Sequence, residues 1–199
     1  MKMDDARLLR SRLRRYERKL AEERHEFGHY SDGAGRRYFV GPHYLLLGDL
    51  EGALRSFKWF EAEFPDDTGE PGHSLCWSLA LHRASMKEDA VEKLKQAALL
   101  NLHVLPHLLG EQAPDHSDLW LGSNQEWPEY VEHIPTEYFQ LWSMSEREWA
   151  RSISSSPGFT AVVNRWIEIH AELKDLPRGE RRTRLVKDAW LLRSTPAIL

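Results

Sequence analysis

From residue 4 to residue 27, apolar residues recur among charged ones at steps of four, three, four and seven: Leu9, Leu13, Tyr16, Leu20 and Phe27. Those steps place one narrow apolar stripe on a helix whose other sides are charged. Asp4 or Asp5 can cap its start, because a short side-chain acceptor satisfies free backbone N–H groups there. A stripe this narrow predicts packing against one neighbour, in the same chain or in a second copy. The cluster Ser31-Asp32-Gly33-Ala34-Gly35 breaks the pattern and ends the element.

Helical periods continue downstream. Ala, Leu, Glu and Lys recur at helical spacing over 43–63, 74–84 and 87–100, with 64–72 (FPDDTGEPG) as an interhelical loop. Residues 110–126 form a polar connection too long to hang free, so it is expected to pack on its neighbours. Further helices are predicted at 127–142, 145–153, 158–174 and 179–193, broken at Pro157-Gly158 and Pro177-Arg178-Gly179. No alternating strand pattern occurs, and the expected class is all-α.

A period near 34 residues organises the first half. Gly48-Asp49-Leu50-Glu51-Gly52-Ala53 reads as the turn and second-helix start of a helix-turn-helix unit over 34–67. Gly41 then falls at a small position seven before Gly48, with Tyr44 three after it. Ala53 is the small residue where the two helices cross. Phe57 fills the groove four later, and Pro65 ends the unit. A second unit over 71–104 repeats the order with drift: Ser78, Leu81, Ala90, Leu94 and Ala97, with Ala90 placed 37 after Ala53. Leu102 stands at its terminal position. Pro42, inside the first helix, removes a backbone donor and is expected to kink or start the helix.

This order of small, aromatic, Gly, Ala, Phe and Pro resembles the tetratricopeptide repeat. The stretch 98–110 (ALLNLHVLPHLLG) is also similar to a segment in bacterial relatives of the suppressor-of-tumorigenicity-7 group, through Asn101, His103, Val104, Leu108, Leu109 and Gly110; Leu102 departs from that pattern. The resemblance covers residues 34–110. It implies an antiparallel helix-pair superhelix whose first helices line a surface for peptides or partner helices. The groove would then include Tyr38, Leu45, Leu75, Leu79, His82 and Arg83. The cationic clamp some such modules use for C-terminal carboxylates is not reproduced, since Tyr38, Pro42 and Cys76 occupy its first positions. Two units rarely suffice for stability, so the helix in 1–30 and the helical region 111–199 are expected to extend or cap the stack.

Charge changes the picture at the ends. Residues 1–24 hold nine Lys/Arg against five acids and residues 174–199 seven against three, net +4 each, while the whole chain is −4, leaving −12 between them. Basic ends flanking an acidic body suggest neutralisation by packing; a nucleic-acid-associated regulator using the basic terminal helices is the alternative, and the interleaved acids speak against it. No apolar run approaches the roughly 20 residues of a membrane span, and the charged N-terminus lacks an apolar leader core. With one cysteine, Cys76, an internal disulfide is excluded. A cytoplasmic location is the default expectation, with no membrane partner.

Candidate chemistry is sparse. His25-Glu26-Phe27-Gly28-His29 matches H-E-x-x-H, which on a helix sets two metal ligands on one face with a general base between them. That makes a zinc metallohydrolase the enzymatic alternative. The extended metzincin form fails at Asp32 and Gly35, and no upstream sheet precedes the motif. His103 and His107 are four apart, but Pro106 lies between them. Cys76, beside Trp77, reads as a buried core residue, and no glycine-rich phosphate loop is present. Of eight tryptophans, Trp120 and Trp127 lie on the loop 118–130 and form the best candidate for an exposed binding pair. The expectation from sequence is a non-enzymatic scaffold or adaptor without a cofactor. A protein or peptide partner would use Tyr38, Leu45, Leu79, His82, Arg83, Trp120 and Trp127, with self-association through the N-terminal helix as a further option.

Overall fold

The computed structural model describes residues 3–194, with side chains from residue 5 onward. Every regular element among the described residues is helical, and the fold is all-α. The helices are α1 (Met3–Phe27), α2 (Arg37–Leu46), α3 (Leu50–Glu63), α4 (Pro71–Arg83), α5 (Lys87–Leu100), α6 (Val104–Leu109), α7 (Thr136–Gln140), α8 (Met144–Ser154), α9 (Pro157–Asp175) and α10 (Glu180–Ser194). None is long and apolar enough to cross a membrane.

α1 lies on the first hairpin through its predicted stripe. Leu13 and Leu20 are buried against Val40, with Tyr16, Tyr30, Tyr44 and Trp59 around them. The last member of the stripe, Phe27, is exposed. Asp5 lies within α1, so it does not cap the helix from outside, and the Asp4 side chain lies outside the described residues. At the other end of the helix, Asp32 is buried and ties the linker down. Its carboxylate accepts from the Arg36 and Arg37 backbone N–H groups, while its own N–H donates to Glu23.

Two hairpins follow with a constant offset of 37 residues. α3 and α5 start at Leu50 and Lys87 and end at Glu63 and Leu100. Their turns match atom for atom. Asp49 N–H donates to Tyr44 O at 2.9 Å, and Met86 N–H to Leu81 O at 2.9 Å. The turn residue is left-handed both times, Gly48 at φ +77° and Ser85 at φ +63°. A Cβ in that region meets the following carbonyl, at a cost of roughly 1–2 kcal/mol. Gly48→Ala should therefore lower stability by about 1 kcal/mol, whereas Ser85→Gly should not lower it, because relieved strain offsets the freedom glycine adds to the unfolded chain. Thermal melts of the two variants check this asymmetry; equal losses would sink it.

The helix crossing of each hairpin is built from one small residue facing one large one. A Cβ on Gly41 would stand 2.5 Å from the Phe57 ring. In the second hairpin Ser78 takes the small place and donates its hydroxyl to Ala90 O at 2.7 Å, and Leu94 replaces the large ring. Ala53, Phe57, Ala90 and Leu94 are all fully buried. Tyr44 packs its ring on Gly52 and hydrogen-bonds Glu17 of α1. Pro42 does not start α2, which begins five residues earlier at Arg37; its ring is buried in mid-helix. Exposed Pro65 follows the end of α3.

After α5 the chain departs from the expected pattern. Asn101 is buried and donates its side-chain amide to Gln125 O (2.7 Å) and Trp127 O (2.9 Å), pinning the 110–126 connection to the end of α5. The connection packs as expected: Trp120 N–H donates to His170 O, and Lys174 holds Ser117 and Asp118. The continuous helix expected over 127–142 is instead a 3-10 segment, Pro128–His133, an extended Ile134, and the short α7. Pro135 is the cause, since its ring drives the preceding residue out of helical space and removes a donor. Beyond it, α8, α9 and α10 match the predicted helices within two residues. Ser143 and Glu146 close a capping box on α8.

Candidate functional site

The face of α2 and α4 that was expected to receive a partner is covered by the chain itself. Val131, Ile134, Tyr138, Phe139 and Trp142 share one buried cluster with Leu45, Leu75 and Leu79. Ile134 lies over Gly72, where a Cβ would stand 2.8 Å from its Cγ2. Leu45, Leu75 and Leu79 are thus core, which corrects their assignment to an open groove: the segment 131–142 is apolar enough to fill that groove. His82 stacks on Trp149 at 4.1 Å, and Arg83 donates to Glu146 (2.7 Å) and to Leu141 O (2.7 Å). Burial pushes the Glu146 carboxyl up, but the hydrogen bonds from Arg83 and Ser143 outweigh it and hold the group at about 2. Arg147 finishes the closure by donating to the carbonyls of Leu108, Phe139 and Trp142. At the far end Tyr130 hydrogen-bonds Glu70.

The two loop tryptophans do not form an exposed pair. Trp120 is packed between the His170 ring at 5.9 Å and the Arg182 guanidinium at 5.0 Å. Trp127 alone is open, 53% exposed. Tyr38 is also committed internally: its hydroxyl donates to Asp67, and its ring meets Phe60 and His73.

The histidine motif does not hold the geometry its spacing promised. α1 ends at Phe27, and Gly28 turns the chain with φ +71°. His29 therefore leaves the helix, and its Nδ1 lies 2.9 Å from Phe27 O. Two ligands at i and i+4 share a face only while the helix continues. Among the described residues no group of three His, Cys, Asp or Glu side chains is arranged to hold a metal ion. Cys76 is fully buried, and burial pushes its thiol well above the usual range.

Among the open concave regions of the described residues, two have tryptophan in their walls. The first is a trough of about 310 Å³ between α1 and α3, with Leu20, Ala21, Val40, Tyr44 and Trp59 on its walls and Arg55 at its edge. Trp59 donates to the Tyr30 hydroxyl at 3.2 Å, and the two rings meet edge to face at 5.3 Å. The second is a cavity of about 330 Å³ between the 64–69 loop, α4, α5 and α10. Phe60, Phe64, Trp77 and Trp190 supply its aromatic walls, and His73, Lys93, Arg193 and Asp67 its polar ones. Lys93 sits 3.6 Å over the Trp77 ring. Burial pushes the His73 imidazole down to about 3. Sequence reading passed over both regions, because their walls come from segments up to 134 positions apart (Phe60 to Ser194) and show no local spacing.

Comparison with protein-family models, with curated proteins and with solved structures gives no match for this chain.

Proposed function

We propose that this chain is a non-enzymatic helical-repeat scaffold of tetratricopeptide type that binds a protein or peptide partner. The hairpin pair at a constant offset of 37 residues supports the repeat reading, because matched turns and crossings stack helix pairs into a continuous surface. The observation that carries the binding reading is the trough between α1 and α3. It is apolar, walled by helices and lined by aromatic anchors of the kind that take a partner helix or an extended peptide. The α2/α4 face is already filled by residues 131–142, so the partner surface falls on the opposite side of the first hairpin.

A photo-crosslinking residue placed at exposed Arg55, used in the native host, tests this. The expected result is one discrete adduct with another polypeptide, lost when Ala21→Arg fills the trough while circular dichroism stays unchanged. An adduct of twice the chain mass identifies a second copy as the partner. Failure to form any adduct, or an adduct indifferent to Ala21→Arg, would remove the trough as the binding surface.

A further inference from the structure

We infer that the cavity between the 64–69 loop, α4, α5 and α10 is a binding site for a small anion carrying an aromatic ring. The argument rests on which charged groups around it already have partners. Asp67 accepts from Arg37 Nε at 2.7 Å, from the Tyr38 hydroxyl at 2.7 Å and from Gly69 N–H at 2.9 Å. Glu61 pairs with Lys93 at 3.1 Å. Asp66 is exposed and solvated. The acids of the wall are therefore satisfied by protein or by water.

Arg193 is not. It is partly buried and makes no ion pair with any described carboxylate; its one ring contact is with Trp166 at 5.7 Å. Glu126, the acid that acts on it electrostatically, turns an oxygen onto Gly122 N–H at 2.7 Å. Burial disfavours the Arg193 charge, Glu126 offsets part of this from a distance, and a partly buried cation with no carboxylate in contact is costly. His73 adds a second unmet group. It is 1% exposed, and its Nδ1, near Gly69 of the same wall, has no hydrogen-bond partner among the described residues. Lys93 supplies a further cation; its side chain is 12% exposed, while that of its partner Glu61 is 63% exposed and free to turn into water. One carboxylate or phosphate entering the cavity would meet Arg193 and Lys93, with the buried His73 ring in the wall beside them.

The rest of the wall sets the shape of the ligand. Phe60, Phe64, Trp77 and Trp190 offer ring faces and edges, and Trp190 stands half exposed at the rim. A cavity of about 330 Å³ lies at the small end of ligand sites and holds one or two fused rings. This site is separate from the α1/α3 trough and does not depend on a protein partner.

Calorimetric titration of the full chain with indole-3-acetate, indole, tryptamine and acetate tests the inference, followed in parallel by tryptophan fluorescence. Indole-3-acetate should bind saturably and about tenfold or more tighter than tryptamine or acetate, because both the charge and the ring are used. Arg193→Gln should weaken indole-3-acetate about tenfold and leave indole unchanged; Arg193→Lys, which keeps the charge, should retain most of the affinity. Trp190→Ala should weaken both indole-3-acetate and indole. The exposed Arg165→Gln on α9 serves as the control that changes nothing. Tryptamine binding as tightly as indole-3-acetate overturns the assignment, as does unchanged binding in folded Arg193→Gln or no saturation at millimolar probe.

Discussion

Acidification from about pH 7 to about pH 5 is expected to remove about 4 kcal/mol of folding stability through two buried histidines, His43 and His73. Both rings are nearly inaccessible. Burial pushes His43 down to about 4 and His73 down to about 3. Neighbouring groups adjust these shifts in both directions: the Phe39 backbone and Glu137 raise His43 while Arg12 lowers it further, and Asp67 raises His73 while Lys93 and Arg37 lower it further. Because both folded values lie below the value near 6.5 of an unfolded histidine, the unfolded chain takes up protons first as pH falls. Stability is therefore full above about pH 6.5 and declines until about 4 for His43 and about 3 for His73. Each group contributes close to 2 kcal/mol over the stated interval.

His82, His103, His116 and His170 are also lowered by burial and act in the same direction. The half-buried carboxyls of Glu70 and Glu126 are raised by desolvation and oppose it. Urea unfolding at the two pH values measures the slope. The double variant His43→Phe, His73→Phe should lose most of it, and a double variant with the wild-type slope would assign the acid sensitivity to other groups.

Gly41→Ala should cost about 3 kcal/mol, at the upper end for overpacking in a closed core. The added carbon would lie 2.5–2.8 Å from three atoms of the Phe57 ring. That ring cannot retreat. It is fully buried, stacked on Trp77 at 5.3 Å with planes 6° apart, and held edge-on by His73 at 5.1 Å. Phe57→Leu vacates the contested space and brings the first crossing toward the Ser78/Leu94 arrangement of the second. The double variant Gly41→Ala, Phe57→Leu should then be more stable than the sum of the singles by about 1 kcal/mol or more, the mark of two residues sharing one volume. Strictly additive losses in chemical unfolding would show that the two positions do not constrain each other.

That pair also shows how much of the fold was legible. Gly41, Tyr44, Gly48, Ala53 and Phe57 were placed from spacing alone, because a hairpin crossing is a local arrangement whose members lie within about one turn-and-helix of each other. α8, α9 and α10 were legible for the same reason: periodic faces bounded by Ser, Gly and Pro stop signals. Where reading failed locally, a single residue outweighed the pattern. Pro135 broke the helix expected over 127–142, and left-handed Gly28 carried His29 off the helix that made its motif interesting.

Local pattern was thus enough for the class, most of the helices and the 37-residue register, since backbone propensity, apolar period and turn chemistry act over a few residues. The occupant of the α2/α4 face was beyond its reach. Leu79 and Tyr138 lie 59 positions apart, and nothing in either neighbourhood announces that they will share a core. The aromatic cavity is set the same way, by Phe60, Trp77, Lys93 and Arg193 meeting from distant segments. Burial and charge pairing depend on which surfaces meet in space, and those contacts decided which cation kept a partner and which did not.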